Sequence, residues 1–147
     1  MDSAGVFHQL LINSVIISAT TFTHGVFVAA AAAVFRVTKA RSHGALRFFR
    51  DTAVLVLLVL WLMFAHMLEI GMWAGLFYYY GMFDTWETSL YFAGASFTTL
   101  GFGDVLLPDE WRLLSGAAAA NGLLLFGLSA AFLFDVVGKL HLGGRAD

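Results

Sequence analysis

The chain has 147 residues, of which 60% are hydrophobic and 12% charged, with a formal net charge of -2 and no cysteine. Globular domains in water carry about half apolar and about a quarter charged residues, and so small a chain cannot hide the surplus in a soluble core. Disorder, a basic nucleic-acid-binding surface and a disulfide-stapled secreted fold are excluded by the same figures, which leaves an integral membrane protein.

A helix needs about 20 mostly apolar residues to cross ~30 Å of hydrocarbon. Between Asp2 and Arg36 there is no Asp, Glu, Lys or Arg, and Leu10 to Phe35 is the natural first span. This run is longer than a signal-peptide core and has no basic leading region, so it is expected to be retained despite Ala29 to Ala33. A basic loop over 37–51 follows. The second span, Ala53 to Tyr79, is strongly apolar but broken by His66 and Glu69. Next comes Thr88 to Phe102, rich in Gly, Ser and Thr and too short to cross as a helix, as a re-entrant segment would be. Backbone of that kind is tolerated at membrane depth only against protein or a water-filled cavity, so it is expected to line something. The third span, Leu113 to Phe134, has no ionisable side chain, and only a short tail, 140–147, follows its helix.

Orientation follows from the cations. Of eight Lys and Arg residues, Arg36, Lys39, Arg41, Arg47 and Arg50 precede the second span, Lys139 and Arg145 follow the third, and only Arg112 lies elsewhere. The positive-inside rule then puts the basic loop and the C-terminus in the cytoplasm, with the N-terminus and the segment from Tyr80 to Trp111 outside. The outer segment holds Asp84, Glu87, Asp104, Asp109 and Glu110, an acidic rim that attracts cations. The basic cluster is most simply a topology signal and can also bind anionic lipid headgroups.

Within the outer segment, Asp84 or Thr85 can cap a short helix with Glu87 in its first turn, where a carboxylate favours the helix dipole. The partly negative C-terminal end of such a helix would point into the bilayer and stabilise a cation. Beyond it, glycine alternates with apolar residues, which forbids a helix and suits extended main chain. The string Thr99-Leu100-Gly101-Phe102-Gly103-Asp104 is similar to the filter signature of potassium channels, Thr-Val-Gly-Tyr-Gly-Asp. With an apolar span before it and a glycine-bearing span after it, the stretch from 52 to 139 resembles the two-helix pore module of that family. The first span, 1–36, is an addition.

The resemblance implies an all-α membrane protein: an outer helix over 52–80, a pore helix over 84–98, a filter over 99–104 and an inner helix over 111–139. By resemblance, carbonyls of Thr99, Leu100, Gly101 and Phe102 replace the water shell of a potassium ion, with the Thr99 hydroxyl closing the inner site. Gly101 and Gly103 would take backbone angles that side chains forbid. Asp104, with Thr98 and Tyr91 nearby, would support the filter from behind. The family's pore is a homotetramer, one filter strand per chain. Two departures stand out: Phe102 replaces tyrosine, removing a bracing hydroxyl, and Leu100 replaces valine, adding bulk. The pore-helix carboxylate of some members is absent at Ala95, leaving Tyr91 as a candidate partner for Asp104.

On the inner helix, Gly122 either permits close helix packing or lets the helix bend at a gate. Asn121 is read as an interhelical hydrogen bonder in preference to a cavity-lining group. Asp135 either attracts cations at the inner mouth or pairs with Lys139. His66 and Glu69 share one face of the outer helix and must face protein or water. They form either a proton-sensitive pair behind the filter or a neutral Glu69 hydrogen-bonded to the pore helix or to the first span. His24 reads as a packing hydrogen bonder, and the spacing of His24, His66 and Glu69 gives no specific support for a metal site. The expected function is a potassium-selective channel in a cell (inner) membrane, with a non-selective cation channel or a non-conducting subunit as alternatives. It needs no cofactor beyond the permeant potassium ions, binds no nucleic acid and is not an enzyme.

Overall fold

The computed structural model describes residues 3–37 and 45–140. Among them are four α-helices and one short 3-10 turn: α1 (Ser3–Val37), α2 (Ala45–Tyr79), α3 (Trp86–Phe97), the turn Asp109–Trp111, and α4 (Leu113–Lys139). The described residues form no strand, so the expected all-α class holds. Three of the helices, α1, α2 and α4, are long and apolar enough to cross a membrane.

The helices outrun the hydrocarbon. At 1.5 Å per residue, the 35 residues of α1 or α2 reach about 50 Å, well beyond a ~30 Å core. Apolar run length detects only the part in hydrocarbon, which is why α1 begins at Ser3 and not Leu10, and α2 at Ala45 and not Ala53. Residues 45–51, expected in the basic loop, are therefore the first turns of α2. There Asp51 is buried and accepts from Arg50 Nη2 at 2.7 Å. Lys39 and Arg41 lie outside the described residues, as does the tail 141–147.

A glycine ends α2. Gly81 sits at φ 64°, and the Gly81 and Met82 amides donate back to the Tyr78 and Phe77 carbonyls, both at 3.0 Å. This left-handed cap satisfies carbonyls that the helix end leaves open, and it buries Met82 against the core. The chain is thereby turned back toward the bundle to begin α3.

The core holds α3 between α2 and α4. Trp73, Phe77, Phe92, Phe97, Leu114, Ala118 and Leu125 are buried together, with Ile16 added from α1. Phe92 packs its ring 5.3 Å from Phe77 and 5.1 Å from Phe83. A smaller cluster, Ala31, Leu58, Val136 and Leu140, closes the opposite end. The first span packs on both α2 and α4. Apolar contacts between helices in lipid gain little from leaving lipid, so close packing and buried polar groups hold such bundles together. Asn121 of α4 is one such group: its Oδ1 accepts from Thr20 Oγ1 at 2.8 Å and from Trp73 Nε1 at 3.0 Å. It is an interhelical hydrogen bonder.

Candidate functional site: a re-entrant loop and a buried polar ring

Helix α3 starts as its sequence dictates. Thr85 has extended backbone and its Oγ1 accepts from the Thr88 amide at 3.1 Å, while Glu87 occupies the first turn. Of the two expected caps, Thr85 serves. Ser89, Phe92, Ala93 and Phe97 form the buried face of α3, which therefore lies against α2 and α4.

The far end of α3 meets α4 at Gly122. A Cβ placed on Gly122 would lie 1.9 Å from the Phe97 carbonyl oxygen, so only glycine allows this approach. Gly122 lies about 14 Å along α4 from Leu113, at 1.5 Å per residue. The chain thus descends along α3 and returns to the start of α4 through residues 98–112. The segment is re-entrant, and the C-terminal end of α3 points into the interior of the bundle.

At that end the backbone leaves the helix abruptly. The Thr98 amide donates to Gly94 O at 3.0 Å, Thr99 N to Ser96 O at 2.9 Å, and Gly101 N to Ala95 O at 3.1 Å. Thr99, Gly101 and Gly103 have φ of 60°, 53° and 78°, while Leu100 and Phe102 do not have positive φ. The backbone is thus not a plain extended strand. In a regular strand successive carbonyls face opposite ways, whereas alternation in the sign of φ can turn them to one side. Left-handed φ is free for glycine but costs a β-branched threonine strain, so Thr99 is held there by its surroundings. The sequence pattern pointed to Gly101 and Gly103 as special backbone positions and missed Thr99.

The loop's side chains are open in the single chain. Thr98 through Asp104 are all exposed, with Leu100 at 57% and Phe102 at 66%. Tyr91 Oη donates to Asp104 Oδ2 at 2.7 Å, and Asp104 Oδ1 accepts from the Val105 amide at 3.1 Å. The Tyr91 hydrogen bond, chief among the causes, holds the Asp104 carboxyl below its ordinary value and pushes the Tyr91 phenol above its own. The pairing expected in place of the missing pore-helix carboxylate is present.

A second polar assembly lies deeper in the bundle. Glu69, wholly buried on α2, contacts His24 Nδ1 of α1 through Oε1 and His66 Nδ1 through Oε2, both at 2.9 Å. Ser129 Oγ of α4 lies 3.0 Å from His66 Nε2 and 3.4 Å from His24 Nε2. Glu69 therefore contacts both His66 and the first span, α1, so both expected contacts of Glu69 are present. His24 and Ser129 complete the group. Period counting places Ser129 two turns beyond Gly122 on one face of α4, but nothing in the sequence says that α1 packs there.

At the other end of α4, Asp135 pairs with Lys139. Arg36 is exposed in the last turn of α1. The model of a family described as an ion channel matches residues 53–139, from the second residue of the expected pore module to its end. No curated protein and no solved structure matches the chain.

Proposed function

The chain belongs to the ion channel family, and from that premise we propose that it is a potassium-selective channel. The observation that carries this reading is the backbone of Thr99-Leu100-Gly101-Phe102-Gly103-Asp104. Its φ alternates in sign at the inward end of a re-entrant helix. A dehydrated potassium ion needs closely spaced oxygens in place of its water shell. Carbonyls of Thr99, Leu100, Gly101 and Phe102, which that alternation can turn to one side, are suited to supply them. The α3 helix adds the partly negative end of its dipole just behind.

One chain offers one filter strand, so an enclosed pathway needs a ring of copies, and the reading is a homotetramer. The exposure of Leu100 and Phe102 supports it, since neighbouring subunits would cover both. Thr98 and the Tyr91–Asp104 bond then hold the filter from outside the ion path. The cation distribution orients the protein with N-terminus and filter outside and C-terminus in the cytoplasm. On that orientation the basic cluster Arg36, Lys39, Arg41, Arg47 and Arg50 can bind anionic lipid headgroups of a cell membrane. Conduction is passive transport with no covalent chemistry, and its only ligands are the permeant ions.

A non-selective cation channel of the same architecture is the second reading. It is favoured by Phe102, whose ring has no hydroxyl to brace the filter, and by the bulk of Leu100. Reversal potentials of the protein in planar bilayers, with potassium on one side and sodium on the other, separate the two. Potassium selectivity predicts a reversal far from zero, toward the potassium equilibrium potential. A reversal near zero would overturn it in favour of the looser filter.

A further inference from the structure

Conduction as described uses nothing from the ring formed by His24, Glu69, His66 and Ser129. Its contacts close on themselves: Glu69 to His24 at 2.9 Å, His24 to Ser129 at 3.4 Å, Ser129 to His66 at 3.0 Å, and His66 back to Glu69 at 2.9 Å. Each contact needs one hydrogen between its two heavy atoms. An ionised Glu69, two neutral imidazoles and one hydroxyl bring one hydrogen too few, so one pair of lone pairs would face each other. One further proton completes the ring, whether it rests on an imidazole or on the carboxyl.

The same proton makes the ring electrically neutral. That matters because Glu69 is 0% exposed, His24 1%, His66 2% and Ser129 7%, inside helices that cross hydrocarbon. An uncompensated charge there is costly. A divalent cation in the proton's place would leave the group with net positive charge. From the packed elements, α3 offers His66 only the Phe97 ring at 6.3 Å, and α4 the Phe126 ring at 4.1 Å, besides Ser129. No further titratable side chain among the described residues contacts the ring.

We propose that these four side chains bind a single proton, and that this proton latches the first span, α1, to the inner helix, α4. Release of the proton sets lone pair against lone pair. The contact with least to lose is the longest, His24 to Ser129, which is the ring's own link between α1 and α4. The ring then opens where the first span meets the inner helix, and α4 loses a tie to α1 at Ser129 while the Thr20 to Asn121 bond remains. Proton binding stands on the ring's geometry alone; its effect on conduction rests on the channel reading.

Glu69→Gln separates the two. The amide offers the ring one acceptor and one donor, so each of the four contacts has its hydrogen with both imidazoles neutral, and no pair of facing lone pairs is left to take up a further proton. The measurement is nitrogen-15 histidine magnetic resonance with infrared detection of the carboxyl, on the full chain in bilayers, titrated from about pH 5 to 9. His24→Asn and His66→Asn assign the signals. Potassium flux from liposomes is recorded over the same range. The wild type is expected to take up one proton in a single step seen together at His24, His66 and Glu69. Glu69→Gln is expected to show no such step.

Flux should change at least about fivefold across the step in the wild type and stay nearly constant in Glu69→Gln. Ser129→Ala, which removes the α4 side of the ring, should likewise make flux insensitive to the step. A wild type with no step, or a step that persists in Glu69→Gln, overturns the proton site. Flux that still follows pH in Ser129→Ala overturns the latch. A step without flux leaves the proton site standing and removes the channel reading, whereas flux without a step does the reverse.

Discussion

Gly122→Ala tests whether the approach of α3 to α4 sets the depth of the 99–104 loop. The added Cβ would sit 1.9 Å from the Phe97 carbonyl oxygen, 2.7 Å from its carbonyl carbon and 2.9 Å from its Cδ1, against an ordinary contact of 3.4–4 Å. The ring carbon can rotate away. The main-chain carbonyl cannot, because Phe97 is the last residue of α3 and the Thr98, Thr99 and Gly101 amides bond the carbonyls just before it. Helix α4 must therefore retreat by more than about 1 Å, and Phe97, Ala118 and Leu125 lose contact as it does. Overpacking a tight core costs about 1–3 kcal/mol, and a clash with backbone belongs at the upper end. A loss of about 3 kcal/mol lowers the folding equilibrium more than about 100-fold. Unfolding in graded detergent denaturant, followed by tryptophan fluorescence at fixed protein concentration, measures this directly. Gly71→Ala and Gly75→Ala are the controls, since nothing lies within 4 Å of a Cβ at either position. They should match the wild type or exceed it by up to about 1 kcal/mol through better helix propensity. A Gly122→Ala protein as stable as these controls, with unchanged flux, would show that the contact of Gly122 with Phe97 sets neither stability nor the loop's depth.

Asn121→Ala leaves the Thr20 hydroxyl and the Trp73 indole without their shared acceptor. It should cost about 1–2 kcal/mol and shift the tryptophan emission on the same denaturation assay. Gly101→Ala meets no steric neighbour but is strained at φ 53°. It should cost about 1–2 kcal/mol and abolish flux while the helical circular dichroism persists. Tyr91→Phe removes the donor that holds the Asp104 carboxyl low. A depressed carboxylate stabilises above its unfolded value and loses that contribution as pH falls through its folded one, so acid should weaken the wild-type 99–104 loop only below the ordinary aspartate range. Tyr91→Phe should move the onset of acid inactivation of flux upward in pH, and an unchanged onset would count against the Asp104 support.

Much of this architecture could be read from residue type and position. The three spans follow from runs bare of charge, and the re-entrant helix from a run too short to cross that is followed by alternating glycines. Tyr91 could be paired with Asp104 because the position that elsewhere holds a carboxylate is Ala95. Helix ends were less legible, because hydropathy reports hydrocarbon and not hydrogen bonding, so the first turns of α2 around Asp51 read as loop. The place of α1 was not legible at all. Its inward face is marked by Gln9, Asn13, Thr20 and His24, all buried at helical spacing, but those residues do not say which neighbour they meet. The partnership of His24 with Glu69 and Ser129 needed three helices to be placed together. Thr99 gave no signal either, since nothing about a threonine suggests left-handed backbone.

Potassium efflux from liposomes holding the purified full-length protein tests the central claim most directly, with sodium in place of potassium and barium block as the controls. Rapid potassium efflux that barium stops and sodium does not replace is the expected result. Absence of potassium flux under every condition, or equal flux of both ions, would contradict it.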